Sequence, residues 1–334
     1  MKLIRKITFP FVPIYYAVTS LRNKLYDLGI KKSMSYDFPI ICVGNLSVGG
    51  TGKTPMVEYL IRLLKNNYRV ATLSRGYKRK TKGFYLADET STVNTLGDEP
   101  FQFFDKFKND IIVAVDANRN NGIDNLRKLA NPPEVILLDD AFQHRKVKAG
   151  FNILLTTYSN LYTDDVVLPT GNLREPKNGA KRADIIVVTK CPKSIRESEK
   201  TKIIKKLNIE NDQHVFFSFI EYVEEVISFE RHINLIDLKD FTLVTGIANA
   251  NTLVEFLKDK KLNFNHLNFG DHHDFTETQI KDLETNSLIV TTEKDFMRLK
   301  HFKSLESKLY YLPIVIGLDD EPKFNKLIKD FVTS

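Results

Sequence analysis

Between residues 39 and 219 the chain alternates short, nearly continuous apolar runs with segments of helical periodicity. The runs fall at residues 39–43, 69–73, 111–115, 135–138, 151–155, 184–189 and 214–219. Such runs, without polar alternation, predict strands buried on both faces, as in a parallel sheet. Helical spacing at residues 54–65 and 121–130 supplies crossovers of the kind such a sheet needs. The pattern loosens over residues 221–239, where 223–235 reads as a connecting ribbon. A smaller set follows, with strands expected at 241–245, 287–292 and 309–315 and helices near 251–258, 276–283 and 323–332. The fold class is therefore α/β: a mostly parallel sheet with helices on both faces, plus a smaller C-terminal α/β domain. The expected divisions are a leading segment 1–33, a core 34–222, a ribbon 223–239 and a C-terminal domain 240–334.

The leading segment has a different character. Its apolar run over residues 7–18 is too short to span a bilayer and is interrupted by Pro10 and Pro13. No small-residue cleavage site follows it, so it does not read as a signal peptide. From Ile14 onward the apolar positions Ile14, Val18, Leu21, Leu25 and Leu28 follow helical spacing. An amphipathic helix with this stripe either packs on the domain's own core or lies in a membrane interface.

Charge sharpens the second possibility. The 334 residues carry a net charge of +7. Residues 1–33 hold Lys2, Arg5, Lys6, Arg22, Lys24, Lys31 and Lys32 against Asp27 alone, a net +6, which leaves the remaining chain close to neutral. That distribution does not suit a nucleic-acid binder and does suit an anionic membrane surface. At 42% hydrophobic the composition is that of a folded globular chain. Two cysteines, Cys42 and Cys191, make no disulfide framework and point to a reducing compartment.

The strongest chemical motif is Ser47-Val48-Gly49-Gly50-Thr51-Gly52-Lys53-Thr54, between the first predicted strand and the first core helix. Glycines there let backbone N–H groups curl around phosphates, Lys53 reaches the β/γ-phosphates and the Thr54 hydroxyl ligates Mg²⁺. Ser47 replaces the usual first glycine. The expected core is thus a P-loop NTPase domain binding a nucleotide with Mg²⁺. Such a domain needs a carboxylate at a neighbouring strand end. Asp139 and Asp140 close the apolar run 135–138, with Asp139 the better metal ligand and Asp140 beside it. The place before the glycine pair, where partitioning ATPases carry a second lysine, is Val48. The guanine-reading Asn-Lys-x-Asp of GTPases is absent, and Thr189-Lys190-Cys191-Pro192 is a poor substitute.

Taken in order, several segments resemble one family, the tetraacyldisaccharide 4′-kinases of lipid A biosynthesis. They are Val43 to Pro55 around the loop, Leu73-Ser74-Arg75-Gly76-Tyr77, Gly97-Asp98-Glu99-Pro100 and Asp139-Asp140-Ala141-Phe142-Gln143-His144. They continue with Gly171-Asn172-Leu173-Arg174-Glu175-Pro176, Asp271-His272-His273 and Thr292-Glu293-Lys294-Asp295. Together they cover nearly the whole chain. Ala141 stands where that family usually has glycine, and the Ser47 departure is part of its pattern.

The resemblance implies transfer of the γ-phosphoryl of ATP to the 4′-hydroxyl of a tetraacylated glucosamine disaccharide 1-phosphate. It further implies a peripheral enzyme on the cytoplasmic face of a bacterial inner membrane, with no obligate protein partner evident. It assigns Asp98 as catalytic base, paired with His272, or with His273 if the register differs. From the residues alone, Asp98 reads as a helix N-cap and either histidine as structural. Glu99 is a further candidate for the metal shell. Arg75, Arg119, His144 and Arg174 are candidates for substrate or phosphate contacts, since the planar guanidinium fork pairs phosphate oxygens bidentately. The cations Arg75, Lys78, Arg79, Lys80 and Lys82 read as a solvated loop or as a lipid-phosphate contact. Lys294 and Asp295 match the family without an assigned role. The rival reading in another class is a membrane-recruited P-loop ATPase switch that phosphorylates no lipid.

Overall fold

A computed structural model of the chain describes residues 7–229, 231–247, 249–271 and 273–334. Two compact units compose it: the residues up to Ile220 together with Ile316–Ser334, and Glu221–Val315. The strands of the larger unit's sheet are β1 (Ile40–Asn45), β2 (Val70–Ser74), β3 (Tyr85–Leu86), β4 (Ile112–Val115), β5 (Val135–Asp139), β6 (Phe151–Thr157), β7 (Ile185–Thr189) and β8 (His214–Tyr222). The smaller unit contributes β9 (Glu225–Ser228), β10 (Arg231–Asn234), β11 (Phe241–Thr245), β12 (Phe264–Asn268), β13 (Ile289–Thr292) and β14 (Leu309–Leu312). The last strand, β15 (Ile314–Leu318), returns to the larger sheet, whose order is β15-β8-β7-β6-β1-β5-β2-β4-β3.

From β4 to β8 each strand in that order pairs in parallel with its neighbours, and β3 adds an antiparallel edge to β4. Strand β1 sits between β5 and β6, so the chain order reverses around it. In an open α/β sheet the crevice at such a switch point, beyond the carboxyl ends of the strands, is where ligands bind.

Alternate residues of one strand serve two cores. Ile40 and Cys42 face a cluster with Ile136, Leu138, Ile186 and Val188. Ile41 and Val43 face a second cluster with Leu137, Ile153 and Val187. This period-2 division explains why the strands read as unbroken apolar runs. Helices α1 (Val12–Asp27), α2 (Lys53–Leu64), α3 (Val93–Leu96), α4 (Asp98–Phe107), α5 (Arg119–Arg127) and α6 (Glu197–Leu207) belong to this unit. Helix α2 buries Met56, Val57, Leu60, Ile61 and Leu64.

Helix α1 buries only Asn23. Its apolar stripe faces outward, with Ile14 62%, Val18 61%, Leu21 59% and Leu28 63% exposed. The core-packed alternative for that stripe is therefore not what the fold adopts. Among the described residues no helix is long and apolar enough to cross a membrane.

In the smaller unit the order is β10-β9-β14-β13-β11-β12. Strands β11 to β14 pair in parallel, with α7 (Asn251–Asp259), α8 (Glu277–Glu284) and α9 (Glu293–Leu299) between them. Within the stretch read as a ribbon, β9 and β10 form an antiparallel pair that joins that sheet through β14. The expected division at 240–334 also differs at its far end. Helix α10 (Glu321–Thr333) buries Phe324, Ile328 and Val332 in the larger unit's core beside Met56 and Leu60. Periodicity marks that helix as amphipathic but carries no information on which sheet it covers.

The ring of Phe324 is fully buried and meets Tyr59 and Phe216 edge-on at centroid distances of 5.7 and 5.2 Å. Phe324→Ala is expected to destabilise the nucleotide-binding unit by about 3–5 kcal/mol. Urea unfolding monitored by loss of nucleotide binding measures this, and an unchanged midpoint would place α10 outside that core.

Candidate active site

The loop after β1 is held from three directions. Gly49 and Gly52 adopt φ +112° and +88°, backbone that side chains rarely tolerate, which lets the loop turn over the sheet edge. On one side the segment 171–176 lies against it: Asn172 O accepts from Val48 N at 2.8 Å, and Ser47 bridges Leu173. Below it, Asn45 Nδ2 donates to Thr51 Oγ1 at 2.7 Å, while Thr189 Oγ1 donates to Thr51 O at 2.8 Å. On the far side Lys190 Nζ donates to Gly50 O at 2.7 Å. Helix α2 then starts at Lys53, so its partial positive end points toward the loop. Thr54 is the second residue of that helix.

Strand β5 runs beside β1 with Val43 opposite Asp139, which brings the carboxylate pair to the loop. The two carboxylates differ. Asp139 is buried, and one oxygen accepts from Ser74 Oγ at 3.2 Å while its Oδ1 has no hydrogen-bond partner. Burial, then Glu99 and Asp140, push its pKa up to about 7 against the pull of Lys53 and Arg119. For Asp140 burial acts in the same sense but is overcome by the Arg174 fork and then Lys53, which hold it below the usual carboxylate range. The Arg174 guanidinium spans both Asp140 oxygens at 2.7 and 3.2 Å and also donates to the Asn45 side chain. Lys53 Nζ lies 3.8 Å from Asp140 Oδ1.

This donor set fits Mg²⁺. A buried carboxylate oxygen with no partner, a second aspartate and a helix-start hydroxyl are hard oxygen ligands of the kind that ion takes. Asp139, Asp140 and Thr54 are the residues that would hold it. Glu99 is exposed in the first turn of α4 and acts on Asp139 through its charge. Among the described residues no three histidine, cysteine or carboxylate side chains form a cage by themselves.

The other candidates are placed as follows. Asp98 is exposed as the first residue of α4, and the N-cap is Gly97, whose φ of +92° and tight approach to Tyr77 O require glycine. Arg119 is buried and gives Nη1 to Asp116 O at 2.6 Å and Nη2 to Asp139 O at 3.3 Å, while its Nε has no hydrogen-bond partner. It thereby steadies the end of β5. Arg75 is exposed just beyond β2. His144 is half-buried, with Nε2 lacking a hydrogen-bond partner. Burial and then Arg119, Lys146, Arg22 and Arg75 push its pKa down to about 4, so the imidazole is neutral near pH 7. His272 lies outside the described residues. His273 stacks on Phe269 with centroids 4.7 Å apart and pairs with Gln279 Oε1 at 2.9 Å, a structural placement. Asp295 is buried and accepts from Gly246 N at 2.8 Å and Thr292 Oγ1 at 2.7 Å, and Lys294 pairs with Asp271 at 3.5 Å.

The sequence does not single out Asn45, Thr189 and Lys190 as loop supports. The position of Thr189-Lys190 at the end of the predicted strand 184–189 is the one signal it offers.

Because the folded-state pKa of Asp139 lies above that of an unfolded aspartate, about 3.9, the native state holds the extra proton. Its contribution to stability is full below the unfolded value and is lost as pH rises toward 7. Relative to Asp139→Asn, the nucleotide-free protein should lose thermal stability between about pH 4 and pH 7. Parallel melting curves for the two proteins would contradict this shift.

The sequence profile of the tetraacyldisaccharide-1-P 4′-kinase (LpxK) family matches residues 4–333. A tetraacyldisaccharide 4′-kinase of Flavobacterium johnsoniae is 55% identical, over 94% of this chain and 93% of that protein. One of Bacteroides thetaiotaomicron is 44% identical, over 98% and 93%. The crystal structure of LpxK from Aquifex aeolicus in complex with ATP superposes with a TM-score of 0.77 at 32% identity, covering 98% of this chain and 99% of that one. With its phosphate loop and strand-end carboxylates in place and its likeness running along nearly its full length, the chain belongs to the tetraacyldisaccharide 4′-kinase family, a family of ATP-dependent kinases.

Proposed function

We propose that this chain moves the γ-phosphoryl group of ATP onto the 4′-hydroxyl of tetraacyldisaccharide 1-phosphate, working peripherally on the cytoplasmic face of a bacterial inner membrane. The observation that carries the reading is the single sheet edge at which the loop, Lys53 and the Asp139–Asp140 pair meet, in a chain of this family.

Phosphoryl transfer leaves the protein mostly with positioning and charge compensation. Loop N–H groups, Lys53 and the start of α2 cradle the β- and γ-phosphates. Mg²⁺ bound at Asp139, Asp140 and Thr54 would neutralise charge on the phosphate oxygens. Asp98 accepts the proton of the 4′-hydroxyl as the new O–P bond forms and the bond from Pγ to the ADP oxygen breaks, with the His272 imidazole sharing that proton. Arg75, His144 and Arg174 are the proposed contacts to substrate or phosphate; Arg119, buried and bonded to Asp116 O and Asp139 O, acts behind them by holding the end of β5. His144 is neutral, so it serves as a hydrogen-bonding partner and adds no charge.

The acceptor is an amphiphile, and α1 supplies a surface to match. Its outward stripe borders an apolar groove of about 530 Å³ lined by Phe11, Ile14, Tyr15, Val18, Leu168 and Pro169. Lys24, Lys31 and Lys32 are exposed nearby in the chain. Acyl chains suit the groove and lipid phosphates suit the cations.

Labelled ATP should transfer its γ-phosphate to the disaccharide lipid, and Asp98→Ala should lower that turnover by about 10²–10⁴-fold with ATP affinity nearly unchanged. An equal loss of ATP binding would make Asp98 a metal ligand instead. Lipid-stimulated hydrolysis with no labelled lipid would favour the ATPase switch. Introducing charge with Ile14→Asp and Val18→Asp should weaken binding to anionic vesicles at least tenfold and leave ATP affinity intact. Vesicle binding equal to wild type would remove α1 from the membrane contact.

A further inference from the structure

Glu175 is almost completely buried, yet no ligand contact is assigned to it. Its two oxygens collect three donors from three parts of the larger unit. Asn23 Nδ2 of α1 donates to Oε2 at 2.6 Å, while Gln143 Nε2 and Arg182 Nη2 donate to Oε1 at 3.0 and 2.8 Å. A buried carboxylate this well satisfied fixes its neighbours, because any donor it loses is left unpaired out of water.

Those neighbours lead directly to the nucleotide site. Gln143 Nε2 also donates to Asn45 O at 2.8 Å, the same carbonyl that Arg174 Nη2 approaches at 3.2 Å. Arg174 precedes Glu175 in the chain and places its fork on Asp140. Helix α1 grips the same strip at two further points. Tyr15 Oη donates to Arg174 O at 3.0 Å, and Arg22 Nη2 donates to Gln143 O at 2.7 Å. Tyr15, Arg22 and Asn23 are seven and eight positions apart, so they share one face of the helix. That face carries the only buried residue of α1. The helix is thus tethered by polar bonds to the Arg174–Asp140 strip while its apolar stripe faces outward.

We infer that Glu175 is a positioning residue for the Arg174–Asp140 pair and that α1 sets it through Asn23, so that seating of the helix and geometry of the phosphate site form one coupled unit. The inference rests on the nucleotide site of the proposed kinase and is independent of which acceptor is phosphorylated. Removing Asn23 leaves Glu175 with two donors but frees it from α1. Arg174 then holds Asp140 less firmly, and nucleotide with Mg²⁺ binds a less ordered site.

Calorimetric titration of the full-length protein with Mg²⁺·ATP, without any lipid acceptor, tests this. Asn23→Ala and Arg174→Ala should each weaken binding about three- to tenfold, and the double variant should be no weaker than Arg174→Ala alone, since Asn23 acts through Arg174. Unchanged binding in either single variant, or losses that multiply in the double variant, would overturn the coupling. A purely structural Asn23 would lower the thermal midpoint and leave the dissociation constant where it was, which also overturns it. Glu175→Gln replaces one acceptor oxygen with an amide NH2 that must face a donor, and should weaken binding at least as much; if it does not fold, the Asn23 cycle decides. A protein that passes this cycle but labels no lipid would refute the kinase reading and leave the coupling standing.

Discussion

Val43 on β1 stands opposite Asp139 on β5, and through that parallel register the phosphate loop and the paired carboxylates emerge at the same sheet edge. A slip of one residue would turn every side chain of β5 to the other face, sending Asp139 out of reach and polar groups into a core. The register is secured by burial on both faces, where Leu137 and Leu138 enter different clusters. Site geometry is therefore a by-product of core packing, and the surrounding supports refine it. Asn45 and Thr189 hold Thr51, Lys190 holds Gly50, and Arg119 ties down the end of β5.

Adjacent aspartates then acquire different characters from different surroundings. Asp139 has a buried environment, a nearby Glu99 and a single hydroxyl donor, so its proton is held up to about pH 7. Asp140 turns into a left-handed backbone position and meets two cations, Arg174 and Lys53, which keep it ionised. Paired groups whose environments push their pKa values apart take separate roles. Here Asp139 keeps an oxygen without a hydrogen-bond partner, while Asp140 is tied by Arg174 into the scaffold that α1 touches.

Much of this is legible in the amino-acid sequence. Glycines and a lysine between a strand and a helix carry their own geometry, and the apolar run ending in Asp139-Asp140 identifies a strand and its partner role together. The rest depends on contacts between residues far apart in the chain. Nothing local marks Lys190 as a support for Gly50, or Glu175 as the meeting point of Asn23, Gln143 and Arg182. The helix over residues 323–332 was readable as amphipathic, but its seat beside Met56 and Leu60 was not. The α1 stripe has the same spacing whether it is buried or exposed. Only the three-dimensional fold separates those cases, and it exposes the stripe while burying Asn23.

Whether this chain is a kinase with a lipid acceptor is tested most directly by the fate of the phosphoryl group. Phosphorus NMR of tetraacyldisaccharide 1-phosphate incubated with the enzyme, ATP and Mg²⁺ should show a new phosphomonoester at the 4′ position. That signal should grow one-for-one with ADP. Accumulation of ADP with inorganic phosphate and no second phosphomonoester on the lipid would contradict it.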